Sequence, residues 1–150
     1  MALKPDRIEA RTDISFFMNT VAERGGVASV VTGGAGVAMD DANAVVGYAA
    51  AASGAVPVGI LLNDVVNIDL TRQHINWYKD EMQVGGKVTL LRQGQVTTNM
   101  IVSGNTPTAG ASAYVGASGL LTTSATGTKV GTFLSGKDAD GYAKLDVNIT

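Results

Sequence analysis

The sequence predicts an all-β protein: a small barrel or sandwich of short strands preceded by a distinct N-terminal segment. Three observations carry this. The residue mix is the first, with 19 glycines, 3 prolines and 5% aromatics in 150 residues. Glutamate occurs only at Glu9, Glu23 and Glu81, so that helix-favouring acid is missing from everything after position 81. Glycine and threonine disfavour helices, whereas valine and threonine fit a pleated, half-buried surface. The second observation is that short β-branched runs recur between glycine turns. The third is strict alternation near the C-terminus, where Ala143, Leu145, Val147 and Ile149 interleave with Tyr142, Lys144, Asp146 and Asn148. Period two is the mark of a strand with one face buried.

In chain order, residues 1–24 read differently from the rest. Lys4, Asp6, Arg7, Glu9, Arg11 and Asp13 precede Ile14-Ser15-Phe16-Phe17-Met18, and the first glycine is Gly25. This stretch reads either as an extended arm or short edge strand with an apolar anchor, or as an ordinary first strand or helix packed on its own domain. The arm reading divides the chain into residues 1–24 and a β domain over 25–150. It predicts that the β body stays folded when residues 2–18 are deleted. Val27 to Val31 is a β-branched run closed by Thr32-Gly33-Gly34. Ala44 to Ala52 is apolar and broken by Gly47, with a possible helical turn at Ala49 to Ala52. Val56 to Leu62 is a buried-strand run in which Pro57 marks a strand start or an edge. Val66, Ile68 and Leu70 alternate with polar residues, and Ile75 and Trp77 resume that period. Lys87 to Arg92 and Gln95 to Val102, separated by Gln93-Gly94, predict a hairpin with a tight turn. Runs at Ala113 to Val115, Leu120 to Thr123 and Val130 to Leu134 complete the set, and regular turn signals between so many short strands point to a barrel or sandwich.

The same residues exclude much chemistry. There is no cysteine, so disulfides, thiolate metal sites and cysteine nucleophiles are absent. The net charge is -2, without the clustered positive footprint that nucleic acid or an acidic membrane requires. No apolar run reaches the roughly 18 residues of a membrane span, and Met1 to Asp13 has no apolar core, which predicts no signal peptide. His74 is the only histidine, and Gly116-Ala117-Ser118-Gly119 misses the spacing of a nucleophile elbow. Asp138-Ala139-Asp140-Gly141 begins like a calcium loop, but its twelfth position is Ile149, so it reads as a polar turn. Gly33 to Gly36 lacks the Gly-Lys-Ser/Thr of a phosphate loop. No catalytic residue, metal site or cofactor is predicted. Trp77 and Tyr78, followed by Lys79, Asp80 and Glu81, have the composition of a binding surface.

Several units taken together carry a resemblance. They are Val56-Pro57-Val58-Gly59-Ile60-Leu61, Asn76-Trp77-Tyr78-Lys79, Val84-Gly85-Gly86-Lys87-Val88-Thr89-Leu90-Leu91, Thr108 to Val115, Gly119-Leu120-Leu121 and Lys129-Val130-Gly131-Thr132-Phe133. In this order, in a small cysteine-free chain, they resemble the capsid decoration, or cement, proteins of tailed bacteriophages. The resemblance spans about residues 36–149, with the preceding segment matching the family's N-terminal arm. It implies a small β-barrel or β-tulip domain without catalytic residues. It also implies a homotrimer on the outer surface of the phage head, made in the host cytoplasm, that clamps neighbouring subunits of the major capsid protein. The predicted capsid and intersubunit contacts are Ile14, Phe16, Phe17, Met18, His74, Trp77 and Tyr78. Two other readings stand beside it. One is a phage tail or tail-tip barrel. The other is a carbohydrate-binding module, for which one Trp and four Tyr supply few stacking platforms.

Overall fold

The structure, a computed structural model, describes residues 2–31, 44–67 and 81–149. Over these residues the chain is built from strands, with one 3-10 turn at Ala117–Gly119. The strands are β1 (Ile8–Met18), β2 (Val27–Val30), β3 (Val45–Gly47), β4 (Pro57–Leu61), β5 (Asp64–Val66), β6 (Glu81–Gln83), β7 (Lys87–Thr98), β8 (Ser112–Val115), β9 (Leu121–Thr122), β10 (Lys129–Phe133) and β11 (Ala143–Asn148). Five of them close on themselves: β1 pairs with β3, β3 with β2, β2 with β4, β4 with β7, and β7 again with β1. From β7 the sheet continues through β11, β10 and β8 to β9. The parallel pair β5 and β6 forms a separate ribbon, tied back by a bridge between Ala22 and Val65.

Two apolar cores follow from this topology. All five strands of the closed ring contribute to one of them, through Met18, Ala28, Val46, Val58, Leu61, Val88 and Leu90. The other lies under β8 to β11 and includes Val115, Leu121, Phe133, Leu145 and Val147. Neighbouring residues of the shared strands go to different cores. Val27, Ile60 and Leu91 enter the second, while Ala28, Leu61 and Leu90 enter the first. That is why β2, β4 and part of β7 read as unbroken apolar runs: both faces are covered. In β11, by contrast, Ala143, Leu145 and Val147 are buried and Lys144, Asp146 and Asn148 are exposed, as the alternation predicts.

The expected hairpin at Gln93-Gly94 is not formed. β7 runs through as one strand, pairing with β1 on one side and with β4 and β11 on the other. Gly94 is needed for close approach, not for a turn. A Cβ there would lie 2.1 Å from the Ile8 carbonyl oxygen, and its φ of +154° suits glycine. The predicted helical turn at Ala49 to Ala52 is also absent. Those residues form a bend whose Ala49 carbonyl accepts a hydrogen bond from Ser118 N–H at 2.7 Å.

The N-terminal residues are stitched along the full length of β7. Lys4 N–H donates to the Thr97 carbonyl and Asn99 N–H to the Ala2 carbonyl, and β1 then continues antiparallel from Ile8 opposite Gln95 to Phe17 opposite Lys87. Leu3, Phe17 and Met18 are core residues. Around residue 24 the chain is equally well tied. Arg24 N–H donates to Asp64 Oδ1, Gly25 N–H to the Leu61 carbonyl, and the buried Thr98 hydroxyl to the Gly25 carbonyl. Residues 8–18 thus form a strand paired with the chain's own β7, with Phe17 and Met18 in its core.

Candidate functional site

The seven sequence-predicted contact residues separate by burial. Ile14 is 66% exposed on β1. Phe16 is half-buried against the ring core. Phe17 and Met18 are fully buried within the chain, so a partner cannot reach either side chain while this fold holds. Their apolar run, read as an anchor for a neighbour, is filled by the chain's own core. His74, Trp77 and Tyr78 lie outside the described residues; β5 and β6 flank their segment in sequence.

Two exposed surfaces stand out among the described residues. The first is the outer half of β1, where Ile8 is 58% exposed and Ile14 66% among charged neighbours. Here the Arg7 guanidinium pairs with Glu9, and Arg92 Nη1 of β7 lies 3.6 Å from Asp13. Burial pushes the Asp13 carboxyl up, but hydrogen bonds from the Ser15 hydroxyl and N–H, together with Arg92, outweigh it and hold the group below its usual value.

The second surface is the outward face of β11 and its neighbours. Because paired residues share a face, Asp146 lies in a row between Gln95 of β7 and Thr132 of β10, and Asn148 lies beside Gln93. Three surface notches surround this row. One is lined by Asp6, Arg7, Ile8, Gln95 and Lys144. The next is lined by Lys129, Gly131, Thr132, Asp146 and Asn148. The third contains Val56, Pro57, Thr128 and Ile149 along with Lys129 and Asn148. The arm role expected over Ile8 to Met18 takes in the exposed Ile8, whereas exposed Val56 and the polar half of β11 were not singled out from the sequence. The signal was present in the alternation, since the residues that leave the core are the ones that face outward.

One interior polar site is structural. The Tyr48 hydroxyl donates to the Glu23 carbonyl and accepts from Gly26 N–H at 3.1 Å. Its ring fills a slot that a Cβ at Gly26 or Gly119 would enter, at 2.8 and 2.6 Å. Burial raises the Tyr48 pKa far above the ordinary 10.0; the Gly26 hydrogen bond opposes the shift, while Glu23 and Asp64 add to it. Among the described residues no group of three or more His, Cys, Asp or Glu side chains is placed to hold a metal ion. Asp138 accepts from the N–H groups of Asp140 and Tyr142, as a polar turn does.

The family model described as structural cement protein (E217 gp24/Pam3 gp6) matches residues 6–148, which takes in every strand from β1 to β11. The chain belongs to this family of phage cement proteins. No curated protein sequence matches it. As a cement protein it is a structural component of the phage capsid and serves to stabilise it. Exposed side chains of β1 and β11 are among the described surface residues.

Proposed function

We propose that this cement protein sits on the outer surface of the phage head as a homotrimer and clamps neighbouring subunits of the major capsid protein. The contacts are made by Ile8 and Ile14 of β1, by Lys144, Asp146 and Asn148 of β11, and by the segment carrying His74, Trp77 and Tyr78. The role is mechanical and involves no catalysis. One observation carries the reading: two large aliphatic side chains, Ile8 and Ile14, are more than half exposed on a strand paired with β7. Burying such a side chain is worth roughly 1.5–3 kcal/mol. A trimer engages three such strands at once, and avidity multiplies the weak contacts. The polar face of β11 supplies the hydrogen-bonding rim that surrounds the apolar centre of a protein interface.

The test is co-sedimentation of the Ile8→Asp/Ile14→Asp variant with expanded, undecorated heads. Both positions are exposed, so the melting temperature of the free variant should stay close to that of the parent. Binding should fall by tenfold or more, the effect of losing about 1.4 kcal/mol. Undiminished binding by a folded variant would remove β1 from the contact.

A further inference from the structure

We draw no further inference here: the strongest candidate, the exposed outer edge of β1, where alternating Arg7, Glu9, Arg11 and Asp13 would complement a second copy of the strand pairing antiparallel about Ala10, carries nothing, because Glu9 and Arg11 stand opposite the adjacent residues Gly94 and Gln93 and the β-bulge between them turns their side chains to opposite faces, and nothing in the structure shows what covers the edge.

Discussion

At the scale of single residues, close packing rather than side-chain chemistry decides what is irreplaceable. Gly94 illustrates this. Its missing Cβ leaves room for the Ile8 carbonyl where β1 runs alongside β7. Gly94→Ala should cost on the order of 2–4 kcal/mol, because strand β1 must move or the backbone must strain. Gly104, at φ +79° with nothing within 4 Å of its absent Cβ, is the control. There the alanine meets only the backbone penalty, about 1 kcal/mol. Urea denaturation of the two variants separates these effects, and equal losses would contradict the close-approach argument. Tyr48 makes the second case. Tyr48→Phe keeps the ring in its slot but strands the Gly26 N–H and the Glu23 carbonyl, at a cost of roughly 1–3 kcal/mol. The pH dependence follows from the raised pKa. The folded state holds the phenolic proton more tightly than the unfolded chain, so this stabilisation is complete below pH 10 and is lost as pH rises toward the folded value. Alkaline titration followed by phenolate absorbance should show one tyrosine that ionises only with unfolding. Four tyrosines titrating freely in folded protein would exclude it.

At the scale of elements, β1 is the strand on which fold and function divide. Its inner end supplies Phe17 and Met18 to the interior and closes the five-strand ring against β3. Its outer end presents Ile8 and Ile14 to solvent. Phe17→Ala should therefore destabilise by about 3–5 kcal/mol, as expected for a large side chain removed from a packed core. Deleting residues 2–18 should do more. It opens the ring, uncovers Val88 and Leu90, and removes Leu3 from the second core. Circular dichroism and thermal melting should show the cooperative β transition gone. A truncated protein that melts cooperatively would support the division into an arm over residues 1–24 and a β domain over 25–150. The mixed charge and bulges of β1 are also the devices that keep an exposed edge from pairing indiscriminately.

At the scale of the whole molecule, β7 joins the two cores. It is paired along its length with β1 on one side and with β4 and then β11 on the other, so the ring and the outer sheet are one packed unit. A rigid body suits a protein that stabilises a shell, since contacts preorganised on strands lose little entropy on docking. Mass photometry of free protein should give the trimer mass, and particle reconstructions should place the copies around threefold positions. Monomers with no threefold contact on the head would overturn the trimeric arrangement.

Composition and local period were enough to establish the all-β class, the turn at Asp138 to Gly141, the buried run of β4 and the inward and outward residues of β11. Each depends on side chains a few positions apart, and sequence order records such spacing directly. The ordered units from Val56 to Phe133 also carried the cement-protein resemblance that the family match bears out. The course of β7 through Gly94 and the packing of β1 onto it were decided only in three dimensions. A glycine between two apolar runs looks the same whether the chain turns there or another strand passes close by. A charged stretch ending in Phe16-Phe17-Met18 likewise looks the same as a free arm or as an edge strand exposed on both faces. What separates these cases is the strand that lies alongside, some eighty residues away in sequence for β1 and β7, and pairing across that distance leaves no local pattern.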